Sequence, residues 1–233
     1  MIRAITFDAT GTLFTPRDVG ATYAQVLSRH GVEIEPAEAT RLLPEVWREF
    51  ACAARPERDR FASHPEGAKG FWSDVVRRVC LRAGSAPPPP IVLAELFETF
   101  ARAEAWRLYP EVITTLDALA ARGLRLGVIS NWDERLPRLI SALGLEAHFA
   151  ALVVSQSVGV EKPHPAIFRA ALERLGVSAA ETVHVGDRRL EDVEGAEAAG
   201  FHALWLARSG GGDLDSLAEL PARLDALAST VPA

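Results

Sequence analysis

Between residues 124 and 206 four short apolar, β-branched-rich runs follow one another: LRLGVIS (124–130), ALVVS (151–155), TVHVGD (182–187) and HALWL (202–206). Segments of helical periodicity at 134–143, 165–175 and 190–199 separate them, and Gly144, Gly176 and Gly200 stand where those helices end. Strands alternating with helices of this length read as βαβ units, because parallel neighbours need a crossover that carries the chain back to the starting edge of the sheet. The pattern therefore predicts an α/β fold built on a Rossmann-like parallel sheet. MIRAITFD at the N-terminus is one more strand, yet its partners begin only beyond residue 120.

The intervening stretch predicts helices and no convincing strand. Apolar spacing near 3.6 runs over 18–30, 37–54, 68–83 and 91–106, interrupted by GVEIEP, RPERDRFASHPEG and GSAPPPP. This reads as a helical bundle over 16–107, inserted after the first strand into a core made of 1–15 and 108–233. A chain of 233 residues accommodates one fair-sized core with such an insert. Arg55, Arg58, Arg60 and His64 fall in a polar loop of the insert and read as solvated. Trp47, Trp72 and Trp106 read as packing residues, either within the insert or along its seam with the core.

Composition removes several function classes. A net charge of −6 lacks the basic footprint of a nucleic-acid binder, and no apolar run approaches the ~20 residues of a membrane span. The chain opens directly on a strand, so the expectation is a cytoplasmic protein with no leader, monomeric or a weak homodimer. Cys52 and Cys80 match neither a metal spacing nor a disulfide framework and read as two buried thiols.

In an open parallel sheet ligands gather at the carboxyl ends of the strands. There the sequence places Asp8, Thr10 and Thr12 after the first strand and Ser130 and Asn131 after LGVIS. Lys162-Pro163 follows ALVVS, and Asp187 and Asp192 follow TVHVGD. Any one of these reads as a cap, a strand-end hydroxyl or a surface charge. Together they bring a carboxylate, a hydroxyl, a lysine and an acidic pair to one edge. Of the 25 basic residues only Lys69 and Lys162 are lysines, so a lysine here is not the default cation.

The stretches FDATGTL, GVISN, EKPHPAIF and VHVGDRRLEDVEGAEAAGF resemble the motifs of the haloacid dehalogenase (HAD) superfamily, and the resemblance spans the whole chain. The insert resembles the cap of the branch whose cap is all-helical. What the resemblance implies is a Mg²⁺-dependent phosphatase of a small phosphorylated metabolite, working through an aspartyl phosphate on Asp8. It also implies a metal set of Asp8, the Thr10 carbonyl and Asp187, with Asp192 beside them orienting ligand waters or Lys162. Lys162 then offsets the charge of the transferring oxygens, and Ser130, Asn131 and Thr12 complete the catalytic set.

Thr10 departs from the pattern. Most phosphatases of the superfamily carry a second Asp two residues after the nucleophile as general acid and base, and a threonine hydroxyl has no pKa near neutrality. General acid–base catalysis contributes about 10²–10⁴-fold. Three alternatives stay open at this point: a 2-haloacid dehalogenase, which needs neither metal nor the second Asp; a phosphonate hydrolase using Lys69 as a Schiff-base lysine; and a phosphate-binding protein with a weakened site.

Overall fold

A computed structural model describes residues 1–53 and 57–230, without the side chains of 51–53 and 228–230. The side chain of Cys52 and all of Arg55 lie outside the described residues. Five strands form a parallel sheet: β1 (Ala4–Phe7), β4 (Arg125–Ser130), β5 (Ala151–Val154), β6 (Thr182–Gly186) and β7 (His202–Trp205), in the order β5-β4-β1-β6-β7. Because helices cover both faces, β1 and β6 are buried along their whole length rather than alternating between core and solvent. One face packs Ile5, Phe7, Val128 and Val185 under α5 (Val112–Ala121), α6 (Leu136–Ala142) and α10 (Leu220–Thr230). The other packs Ile129 and Val153 against Phe168 of α8 (Pro165–Leu175) and Ala196 of α9 (Gly195–Ala198). The short α7 (Ser155–Val158) follows β5 directly.

The strand that comes first in sequence is central in space. Phe7 is level with Val128 of β4 on one side and Val185 of β6 on the other. The strands run parallel, but the order in which they are added reverses at β1, with β4 and β5 on one side and β6 and β7 on the other. The carboxyl ends of β4, β1 and β6 therefore open into one crevice.

Four helices fill the insert: α1 (Val19–Ser28), α2 (Pro36–Ala53), α3 (Gly67–Arg82) and α4 (Pro90–Thr99). They enclose a hydrophobic core of their own, with Leu27, Val46, Phe61, Val79 and Val92 at its centre. Cys80 is buried there, and burial pushes its thiol up to about 11. Among the described residues no helix is long and apolar enough to cross a membrane.

Two readings of the sequence need correction. The last insert helix does not reach Trp106; it stops at Thr99, and Trp106–Leu108 is a strand, β3. This strand pairs antiparallel with β2 (Phe14–Pro16), so a two-stranded ribbon carries the chain into and out of the insert. The helix expected over 190–199 is divided as well. A π-helical turn, Arg189–Glu194, precedes the single α-turn of α9.

Candidate active site

Asp8 stands one residue past the end of β1 and still bonds to the sheet, its N–H donating to Val185 O at 2.9 Å. The chain then doubles back, with Gly11 N–H donating to Phe14 O and Leu13 N–H to Ala9 O, each at 2.8 Å. Gly11 has φ +91°, and a Cβ on it would lie 2.5 Å from Asp187 Oδ2. Only glycine lets this turn close against the end of β6.

Three other parts of the chain converge on Asp8. Its Oδ1 accepts hydrogen bonds from Ser130 Oγ at 3.1 Å and Lys162 Nζ at 2.7 Å. The same ammonium donates to Asp192 Oδ1 at 2.6 Å, and Asp192 Oδ2 accepts from Arg188 N–H at 2.9 Å. Asn131 acts on the lysine's main chain: its Oδ1 accepts from Lys162 N–H at 2.6 Å, and its Nδ2 donates to Lys162 O at 3.0 Å. Behind this row lies buried His184, with Nδ1 2.9 Å from Thr6 Oγ1 and Nε2 3.4 Å from Asp192 Oδ1.

Asp187 is different. It sits half-buried at the rim, and its Oδ1 is shielded from solvent without a hydrogen-bond partner. Oxygens of Asp8, Asp187 and Asp192 lie within 4.8 Å of one another. Thr12 Oγ1 is likewise buried and unpartnered. Thr10, half-buried, accepts at Oγ1 from Trp132 Nε1 at 3.1 Å.

The charges follow from this crowding. Burial pushes the Asp8 carboxyl up, and Lys162 only partly offsets it. Burial would also raise Asp192, but Lys162 and then His184 hold it well below the usual carboxylate range. For Lys162, burial favours the neutral amine, yet Asp192 and Asp8 outweigh it and keep the ammonium protonated far above neutrality. Burial and then the charges of Asp8 and Asp192 push Asp187 up to about 7.

The insert also reaches this edge. Arg60 is not solvated: it closes a buried fork on Glu161, the residue before Lys162, with Nε 2.7 Å from Oε1 and Nη2 2.5 Å from Oε2. Its guanidinium also lies over Trp47 at 5.0 Å. Arg58 is exposed and His64 half-buried. Trp72 does lie at the seam, donating from Nε1 to Asp133 at 2.8 Å. Asp133 is buried in a pair with Arg135, whose Nη1 donates to Phe97 O of α4 at 3.0 Å. Lys69 is exposed, its Nζ 5.6 Å from the centre of the Phe97 ring.

Sequence reasoning missed Trp132, His184 and Glu161 as members of this neighbourhood. His184 carried a usable signal, since a polar residue inside a strand buried on both faces must find a partner. Trp132 and Glu161 carried none, because their partners are distant in sequence.

Comparison with known proteins places the chain among hydrolases. The family model described as haloacid dehalogenase-like hydrolase matches residues 2–200. A Mus musculus haloacid dehalogenase-like hydrolase domain-containing protein 3 is 34% identical over 215 residues, covering 89% of this chain and 83% of that one. A glyceraldehyde 3-phosphate phosphatase of Methanopyrus kandleri is 31% identical over 221 residues, covering 89% and 85%. Among solved structures, an L-2-haloacid dehalogenase from Xanthobacter autotrophicus superposes with a TM-score of 0.72 at 25% identity, covering 97% of this chain and 99% of that one.

Proposed function

The chain belongs to the haloacid dehalogenase-like hydrolase family, and we propose that it is a Mg²⁺-dependent phosphatase of a small phosphorylated metabolite with Asp8 as nucleophile. One observation carries this reading. Three carboxylates share oxygens within 4.8 Å, Lys162 is the cation hydrogen-bonded among them, and Asp187 holds a buried oxygen with no partner. A divalent cation fits that deficit, since hard ions take oxygen ligands. Asp8, Asp187 and the Thr10 carbonyl would hold it, whereas both Asp192 oxygens are engaged, which leaves Asp192 to position Lys162. When bound, Mg²⁺ supplies positive charge between the nucleophile and an anionic phosphate.

The protein's own groups account for the rest. Ser130 and Lys162 fix the Asp8 carboxylate by binding Oδ1. Asp8 attacks phosphorus, the ester P–O bond breaks, and the alcohol leaves as an oxyanion that takes a proton from water. A water then attacks phosphorus of the aspartyl phosphate, the P–O bond to Asp8 breaks, and inorganic phosphate departs. Lys162 neutralises charge on the transferred group in both steps. Thr10 cannot shuttle the proton, so good leaving groups are favoured.

The two other enzyme readings fit less well. Attack on a neutral carbon, as in a dehalogenase, leaves Asp187 without a purpose. A Schiff-base amine must lose its proton in a desolvated pocket, whereas Lys69 is exposed. The phosphatase relative adds weight to the phosphate reading.

The test is hydrolysis of an aryl phosphate with Mg²⁺, with chelator, and by Asp8→Asn. Turnover is expected only in the wild-type protein with Mg²⁺. Full activity in chelator would remove this reading and favour the dehalogenase, and a wild-type rate in Asp8→Asn would remove Asp8 as nucleophile.

A further inference from the structure

Arg208, in the loop after β7, has no place in the mechanism above, yet its hydrogen bonds run to the back of the nucleophile turn. Nε donates to Gly11 O at 3.0 Å and Nη2 to Thr12 O at 2.7 Å. Nη1 donates to Glu111 Oε1, just before α5, at 2.7 Å. The guanidinium lies over Tyr109, with Cζ 3.4 Å from the ring centroid. Both ends of the ion pair are largely shielded, at 22% and 14% side-chain exposure. Ring contact and carboxylate together fix where the fork can be, and the fork then fixes two carbonyls.

Those carbonyls matter because of what lies on the other side of them. In a planar trans peptide the C=O and the following N–H point in opposite directions. Holding Gly11 O and Thr12 O therefore fixes the Gly11–Thr12 and Thr12–Leu13 peptide planes, and the N–H of the second donates to Ala9 O, next to Asp8. Gly11 is also the residue pressed against the Asp187 carboxylate. A shift of this turn changes the separation between Asp8, at its start, and Asp187, across from it.

We propose that Arg208 is a positioning residue for the reaction, setting the spacing of Asp8 and Asp187 by bracing the Gly11 and Thr12 carbonyls. The inference rests on the phosphatase reading for its kinetic consequence. Lysine cannot replace the fork, because one ammonium cannot serve two carbonyls and a carboxylate in the fixed planar geometry of guanidinium.

The experiment compares wild type, Arg208→Lys and Arg208→Ala by three measurements. With an aryl phosphate and saturating Mg²⁺, Arg208→Lys should lose about 10- to 100-fold in kcat with KM within about twofold, the pattern of a misplaced reacting group. Calorimetric titration with Mg²⁺ alone should show weaker binding. Hydrogen exchange should accelerate at residues 9–14 while the central strands keep their protection. Added guanidinium should restore part of the rate to Arg208→Ala, and if that variant does not fold, Arg208→Lys decides. Wild-type kcat and Mg²⁺ affinity in Arg208→Lys would overturn the proposal. So would a rate loss accompanied by uniformly faster exchange, which marks a merely structural residue. Failure of the wild-type protein to hydrolyse any phosphate would instead sink the phosphatase reading, and the exchange measurement would still decide the role of Arg208.

Discussion

Asp187 is the residue whose chemistry changes most with its surroundings. Burial and two carboxylate neighbours push it up to about 7, against 3.8 for an ordinary aspartate. The native protein then keeps a proton that the unfolded chain releases, so this group's contribution to stability falls as pH rises from about 4 to about 7 and is flat above. His184 works in the opposite sense. Burial pushes it down, so its contribution rises with pH up to the ordinary histidine range. The difference between wild type and Asp187→Asn isolates the aspartate. In chelator, urea titrations should show the variant gaining on wild type between pH 5 and 8, and an unchanged difference would mean that Asp187 is not held protonated. Thr10 supports a second prediction. Thr10→Asp should raise turnover of alkyl phosphates more than aryl phosphates, because alkoxide leaving groups need the proton. Trp132 Nε1, already 3.1 Å from Thr10 Oγ1, offers a donor to hold the new carboxylate. The same donor favours the ionised form, so the gain should fall short of the roughly 10²–10⁴-fold of a tuned general acid. Equal or lower rates on both substrates, with Mg²⁺ still bound, would show that the leaving group already receives its proton elsewhere.

Elements differ in how much of them a sequence displays. The sheet was legible because β1, β4, β5 and β6 are runs of mostly buried residues rich in β-branched side chains, long enough to stand out. Asp8, Ser130 and Asp187 could be assigned to one edge because each ends or follows such a run. The ribbon was not legible: β2 and β3 have three residues each, too few to show a period of two. Apolar residues continue past Thr99 at Ala101, Ala105 and Trp106, and so extend the appearance of α4 beyond its end. Arg60 looked solvated because its partner, Glu161, is 101 residues away. Lys162, by contrast, was conspicuous as a rare lysine, but its double engagement by Asp8 and Asp192 depends on the π-helical turn, which no local pattern announces. That turn brings Asp192 back beneath the end of β6, where a Cβ on Gly186 would collide with the Asp192 carboxylate. Gly186→Ala should therefore displace Asp192 and loosen Lys162. The expected result is a loss of activity of at least about tenfold, in the range of a small misplacement of a catalytic group, with unchanged far-ultraviolet circular dichroism. An alanine variant of full activity would mean that the contact relaxes without moving the lysine.

Across the whole molecule the insert and the core meet at polar contacts on both sides of Asp8, and these decide how a cap could move. On one side Arg60 grips Glu161 with backbone N–H and guanidinium together, and the N–H of Asp59 donates to Gly159 O at 2.8 Å. On the other, Trp72 and the Phe97 carbonyl hold the buried Asp133–Arg135 pair. The two connections between the units pair with each other as the β2–β3 ribbon, so a rotation of the insert would use that ribbon as its hinge. Opening by rotation about the ribbon must break the Arg60–Glu161 fork, and Glu161 precedes Lys162 in the chain. The expected consequence is that release of the insert loosens Lys162, so that its bonds to Asp8 and Asp192 would be fully held only when the insert is docked. Arg60→Ala leaves Glu161 as an uncompensated buried charge, a change that costs about 3–5 kcal/mol for pairs of this kind. Its rate alone would therefore be ambiguous. Arg60→Met combined with Glu161→Gln removes both charges and should recover most of the stability while leaving the latch broken. The double variant is expected to show faster proteolysis at the ribbon and a lower kcat. A phosphate mimic with Mg²⁺ should slow that cleavage in wild type more than in the variant. A double variant with the cleavage rate and kcat of wild type would show that the fork only packs the seam, and that Lys162 keeps its place without help from the insert.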